Sequence, residues 1–165
     1  MGAVRLSQEE SGRGAHNFEN RCPNALVLGR KTYEGLAAVW PQLVDDPAMG
    51  RFAGRVNSMP KYVASRTLTE PLEWNASLIQ GDVEQAVPAL KAEHSGNLIV
   101  SGCGELAHSL TQRGFVDEFW FWVHPHLWGT GPRIFDGIDP VPLELVSSTP
   151  YRSGVLWLRY RPATG

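Results

Sequence analysis

Short apolar runs that stop at a small residue and then open into helical spacing recur along this chain. "NALVLG" (24–29) precedes "TYEGLAAVW" (32–40), a helix with Thr32 at its start and Pro41 as its stop. "NLIVSG" (97–102) runs directly into "GELAHSLTQRG" (104–114). Between them lie two more strand-like runs, "KYVAS" (61–65) and "ASLIQ" (76–80). "DVEQAVPALKAEH" (82–94) then has helical spacing, with Asp82 as N-cap and Pro88 as a weak point. Strands that alternate with helices bury both faces of a sheet, so the pattern predicts a three-layer α/β domain with a mostly parallel sheet.

The rest of the chain reads differently. "DDPAMGRFAGRVNSMP" (45–60) is expected to be a loop with a short helical piece. "VDEFWFWVHPHLWG" (116–129) is a long aromatic strand, and "PLELVSSTP" with "GVLWLRYRP" forms a closing antiparallel pair. A capping-box pattern, "SQEE", predicts a short helix after Ser7. No internal repeat, low-complexity tract or linker is evident, and 165 residues suit one domain, residues 1–165, with 1–21 an atypical N-terminal segment.

Charge narrows the function classes. A formal net charge of -2 argues against bulk binding to nucleic acid, so any cationic site must be local. No apolar run is long enough to cross a bilayer, and the opening residues lack the apolar core of a signal peptide. Cys22 and Cys103 form no CxxC pair, against a disulfide framework or a structural zinc site. A cytoplasmic protein with free thiols is the simple expectation.

"GRKT" (29–32) has the look of a phosphate grip. A Walker A loop would need a glycine where Asn24 stands and a lysine where Arg30 stands, so a P-loop is rejected. The strand–glycine–helix geometry still offers free N–H groups and a partial positive charge, to which Thr32 adds a hydroxyl and Arg30 a planar fork. A helix cap beside two solvated cations is the plain alternative. Two further strand ends favour the phosphate: Ser65 with Arg66 after "KYVA", and Gly102 with Gly104 before a helix. The full GxGxxG is absent because Ala107 ends the window, an ending some dinucleotide sites tolerate. Ligands of open α/β sheets bind outside the carboxyl ends of strands, which is where Gly29, Ser65 and Gly102 fall.

Taken together, "LVLGRKTYE", "KYVASRTL", "NLIVSGCGELAHSL" and "VDEFWFWVHPHLWGTGPRIFDG" resemble the dihydrofolate-reductase-like fold. The closer resemblance, from about residue 22 to 162, is to the bacterial deaminase–reductase C-terminal domain family, which includes the pyrimidine reductase domain of riboflavin synthesis. That resemblance implies a mixed sheet with an antiparallel C-terminal hairpin and NADPH across the strand ends. Gly29, Arg30, Lys31 and Thr32 would form the first cofactor loop, with Arg30 on the 2′-phosphate side. Ser65 and Arg66 would hold the adenosine ribose phosphate; Gly102, Cys103, Gly104 and Glu105 would pass under pyrophosphate and nicotinamide. It also implies reduction of a small pterin- or pyrimidine-like heterocycle, or of another carbonyl or imine compound, and a homodimer through the C-terminal aromatic strand.

One departure from the family stands out. Its opening strand, central in the sheet, and the following loop ending in an "SLDG"-like pattern are not legible, as though about 40 residues were absent. "GAVRL" as a shortened substitute, a partner chain and a truncated form are the alternatives, and "SQEESGRGAHNFENRCPNA" is expected to be the helix preceding "LVLGRKT". A non-catalytic nucleotide-binding or dimeric scaffold protein is the rival reading. No proton donor is assigned. Asp117 and Glu118 read as a solvated turn, Cys103 as a small buried residue, and His124 with His126 lack a third ligand, so no metal site is expected.

Overall fold

The computed structural model describes residues 24–94, 96–102, 104–127, 129–131 and 133–163, and the backbone of residues 2–6. Eight strands form one sheet: β1 (Gly2–Leu6), β2 (Ala25–Gly29), β3 (Lys61–Ala64), β4 (Ala76–Leu78), β5 (Leu98–Ser101), β6 (Glu118–Val123), β7 (Leu143–Pro150) and β8 (Leu156–Pro162). Their order across the sheet is β4-β3-β2-β5-β1-β6-β8-β7. Among the described residues, four helices join them: α1 (Arg30–Ala37), α2 (Gly50–Ser58), α3 (Val83–Glu93) and α4 (Glu105–Gln112). A 3-10 turn, Trp40–Leu43, links α1 to α2.

The block β4-β3-β2-β5 is parallel throughout, and β6-β8-β7 closes the sheet with antiparallel pairs. β1 lies between β5 and β6 and runs antiparallel to both, so β5 and β6 point the same way. This corrects the expectation of an absent first strand: "GAVRL" itself takes the central place, with Val4 opposite both Val100 and Phe119. A strand there leaves neither neighbour with an open edge, which is where unpaired N–H and C=O groups would otherwise accumulate. The expected helices at "SQEE" and across residues 7–23, and Cys22, lie outside the described residues.

β2 and β5 read as unbroken apolar runs because both of their faces are covered. Ala25, Val27, Leu98 and Val100 join a cluster with Val87 and Leu90 of α3 and Ala107 and Leu110 of α4. Leu26, Leu28 and Ile99 pack the opposite way, with Tyr33 of α1 and Val56 of α2. The aromatic strand splits as its period of two requires. Phe119 and Phe121 face the α3–α4 side, and Trp120 with Trp122 faces the other. That strand is shorter than expected and stops at Val123, before a turn in which the His126 N–H donates to the His124 carbonyl at 2.8 Å.

Several local expectations shift. α1 begins at Arg30, with Gly29 as its N-cap, not at Thr32. It ends at Ala37, and Pro41 sits inside the 3-10 turn that follows. The expected loop before β3 contains the nine-residue helix α2. Pro88 does not break α3, which is capped by Asp82 accepting from the Glu84 N–H at 2.9 Å and anchored by buried Val87 and Leu90. Asp117 and Glu118 are not a solvated turn. Asp117 pairs with Lys91 at 2.7 Å, and buried Glu118 receives Arg159 in a two-pronged bond of 2.5 and 2.8 Å. The Trp120 indole N–H also donates to Glu118.

Lys61 carries a buried ammonium, 1 % exposed. Its Nζ donates to the carbonyls of Val56, Asn57 and Met59 at 2.6, 2.8 and 2.7 Å, so it caps the C-terminus of α2, and it lies 4.3 Å from the Trp74 ring centroid. The carbonyls and the helix dipole favour the charge. Burial still pushes the group down from 10.5 to about 8. The unfolded chain therefore binds this proton more tightly than the folded one between those values. Stability is expected to rise with pH across that window, by up to about 3 kcal/mol from this group. Urea unfolding at pH 7.5 and pH 10, with Lys61→Met as the subtracted reference, checks the sign. A wild-type gain no larger than the variant's would refute it.

Candidate functional site

A cleft of about 810 Å³ opens at the carboxyl ends of β2, β3 and β5 and the loop after β4. Its walls include Gly29, Arg30, Lys31, Thr32, Ser65, Arg66, Gly102, Gly104 and Glu105, so nine of the ten expected site residues meet in one place. The tenth, Cys103, lies outside the described residues. The convergence follows from topology: parallel strands all finish at the same edge, and each connection turns back from there.

Two helices of eight residues start in this cleft, α1 and α4. Each is capped by a glycine, Gly29 or Gly104, and neither receives a side-chain cap. Their first N–H groups thus have no capping side chain and carry the positive end of the helix dipole. The two ends are held close. A β-carbon added to Gly29 would lie 4.0 Å from Cβ of Leu106 in the first turn of α4. One added to Gly102, whose φ is +96°, would lie 3.1 Å from Oγ1 of Thr32. Glycine at 102 therefore serves both a left-handed backbone and a close approach to α1.

The cations differ in availability. The Arg30 guanidinium is drawn to Glu34, one turn along α1, at 3.1 and 3.3 Å. Arg66 is exposed on the loop after β3. Ser65 serves that loop internally: its Oγ accepts from the N–H groups of Thr67 and Leu68 at 3.1 and 3.0 Å, which holds the turn that carries Arg66.

Sequence reading missed one wall. Gly81, Asp82, Val83 and Glu84, at the start of α3, also line the cleft, as do Thr67 and Ser101. The signal was present, since β4 ends beside them and the rule that picked out the other strand ends applies there too. Among the described residues, no group of three or more His, Cys, Asp or Glu side chains is placed to hold a metal ion.

Comparison with known proteins adds three findings. The family model described as "RibD C-terminal domain" matches residues 5–157. "Uncharacterized protein YyaP" of Bacillus subtilis (strain 168) is 28% identical over 148 residues, covering 89% of this chain and 78% of that protein. Two solved structures share the fold. One is a putative riboflavin biosynthesis protein from Shewanella sp. PV-4, with a TM-score of 0.70 at 19% identity, covering 96% of this chain and 85% of that one. The other is a diaminohydroxyphosphoribosylaminopyrimidine deaminase/5-amino-6-(5-phosphoribosylamino)uracil reductase from Thermotoga maritima, with a TM-score of 0.56 at 15% identity, covering 89% of this chain and 48% of that one.

Proposed function

The chain belongs to the RibD C-terminal domain family, and on that footing we propose that it is an NADPH-dependent reductase of a small planar heterocycle, pterin- or pyrimidine-like, or of another carbonyl or imine compound. One observation carries the reading: two glycine-capped helix N-termini meet in a single cleft, packed together at Gly102 and Thr32, with Lys31 and Arg66 at its walls. Such ends suit a pyrophosphate, and the cations suit an additional phosphate. The cleft volume falls within the range of cofactor and small-ligand sites.

The residues present fit the cofactor. Gly29–Thr32 and Gly102–Glu105 would hold the pyrophosphate side, and Ser65 and Arg66 the ribose phosphate. Arg30 would assist once parted from Glu34. The chemistry such a cofactor supplies is hydride transfer to an electrophilic carbon; the protein contributes binding, orientation and field.

The test compares cofactors. Arg66→Ala is expected to weaken NADPH binding by about 1–3 kcal/mol and to leave NADH nearly unchanged. Arg30→Ala should act in the same direction but less, because its fork already has a carboxylate partner. Titration of reduced-nicotinamide fluorescence measures both. Equal losses for the two cofactors would remove the phosphate role. Binding without oxidation across a screen of pterins, pyrimidines and small imines would instead favour a nucleotide-binding protein without turnover.

The homodimer reading moves to a different strand. β6 is internal to the sheet, and its Phe119 and Trp120 are 2 % and 1 % exposed. The edge strand β7 instead leaves Leu143, Leu145 and Val146 exposed, beside Leu156 of β8. An apolar edge of this kind suits pairing with a second copy. Light scattering of wild type and Leu145→Lys would test it. No described helix is long and apolar enough to cross a membrane.

A further inference from the structure

The proposed cofactor cleft leaves open what meets the substrate, and an unexplained polar atom lies nearby. Trp157 is 4 % exposed, and its indole N–H is buried without a hydrogen-bond partner among the described residues. Buried donors are rarely left unpaired, and each exception calls for a reason. Its neighbours include two indoles and a cation: Trp122 is stacked on it at 6.0 Å and 15°, Trp120 meets it edge-on at 5.9 Å and 90°, and the Arg159 guanidinium carbon lies 5.8 Å from its ring centroid. The Trp120 N–H, by contrast, is satisfied by Glu118.

Register places this cluster beside the cleft. Ala3 of β1 pairs with Ser101 on one side and with Trp120 on the other, so Trp120 is level with the cleft residue Ser101. Trp122, paired with Trp157, is two residues nearer the carboxyl edge, at the height of the turn that begins with Gly102. Two strand spacings separate β5 from β6, about 10 Å, and three separate β5 from β8 with Trp157, about 14 Å. Ile99 and Trp120 belong to one core cluster, so the indoles stand on the same face of the sheet as α1. A flat ring beside the Gly102 turn, extending across β1 toward β6, would meet Trp122 first and Trp157 behind it.

We propose that the Trp122–Trp157 pair is the far wall of the substrate site, and that the Trp157 N–H is the donor that recognises a ring carbonyl of a planar, conjugated heterocycle. The inference rests on the reductase reading for the neighbouring cofactor, but it concerns this chain's own indoles. Half-buried Trp122 is stacked on the Trp157 ring in the free protein, and ligand binding would shift it to reach the donor. The stacked indoles match the π-face of such a ring, and an indole N–H matches its carbonyl. A substrate lacking the carbonyl would leave the donor unpaired and bind less well.

The probe is lumazine, a pteridine dione, titrated by its own fluorescence with and without NADPH. Trp157→Phe keeps an aromatic ring and removes the N–H. Its Tm should fall somewhat, because the smaller ring leaves space in the aromatic cluster, so the decisive readout is ligand affinity. Its NADPH affinity should stay within about twofold, while lumazine binding weakens by fivefold or more. A residue of purely structural role would lower the Tm and leave lumazine affinity unchanged, and that unchanged affinity overturns the proposal. Should the variant fail to fold, the Trp157 indole N–H resonance of 15N-labelled wild type supplies the second measurement. Lumazine should shift it downfield, and a resonance unmoved at saturation overturns the proposal. Failure of wild type to bind lumazine while it binds NADPH also overturns it. Trp157-dependent lumazine binding in a protein that binds no NADPH would keep the subsite and sink the cofactor reading instead.

Discussion

Glu118→Ala is expected to cost about 3–5 kcal/mol of folding stability, the range for removing one partner of a buried ion pair. Its carboxylate is the hub of the β6–β8 junction. Both prongs of Arg159 and the Trp120 N–H converge on it, and the side chains of Glu118 and Arg159 are only 12% and 11% exposed. Alanine would leave a guanidinium and an indole N–H buried with fewer partners. For a domain of this size the loss corresponds to a fall in Tm of roughly 10 °C. Urea unfolding of Glu118→Ala, Arg159→Ala and the double variant measures the coupling. The double variant should cost clearly less than the two singles added together, because it removes both charges at once. A single-variant loss below about 1 kcal/mol would mean that the pair behaves like a surface bridge. The exposed pair Arg161–Glu144, across the adjoining β7–β8 hairpin, is the internal contrast and should show only such a small effect.

Gly102→Val is the second large effect, and it acts on the cleft. At φ +96° a β-branched residue is strained, and its Cβ would press on Thr32 Oγ1 at 3.1 Å. Thr32 is in the first turn of α1, so any relief must shift the helix end that the cofactor reading depends on. Strain and crowding together are expected to cost roughly 2–4 kcal/mol, and NADPH binding should fall by about a hundredfold or more. Calorimetric titration beside thermal unfolding separates the two losses. Gly54→Ala, in α2 and away from the cleft, is the control: nothing lies within 4 Å of a β-carbon there, so it should fold and bind nearly as wild type does. Undiminished NADPH binding by Gly102→Val would remove this turn from the proposed site.

The cleft was largely legible because its residues obey local rules. A glycine that ends an apolar run and precedes a helical pattern marks a helix N-terminus at a strand's carboxyl end, and Gly29 and Gly104 both do so. The start of α3 was passed over because Asp82 was read only as a helix cap, although its place after β4 brings it to the same edge. The helix α2 was underestimated because its buried side chains are few, Ala53 and Val56, and much of its fixing comes from Lys61. A lysine that begins a strand reads as a solvated charge, and nothing in "KYVAS" says that its ammonium points back into the preceding helix end.

Periodicity and turn chemistry alone determined the alternation of strands and helices, the parallel block, the closing hairpin and the two faces of the aromatic strand. These are short-range properties, set by which side chains can share a face and by what a glycine or proline permits. Only the tertiary structure decided that "GAVRL" lies at the centre of the sheet, antiparallel to both neighbours. Five residues carry too little pattern to declare a partner, and pairing is chosen by the gap that β5 and β6 leave. The same holds for Glu118 and Arg159, 41 positions apart in the chain. Each charge looks exposed in sequence, and only the folding of β8 against β6 closes one upon the other and removes the water between them.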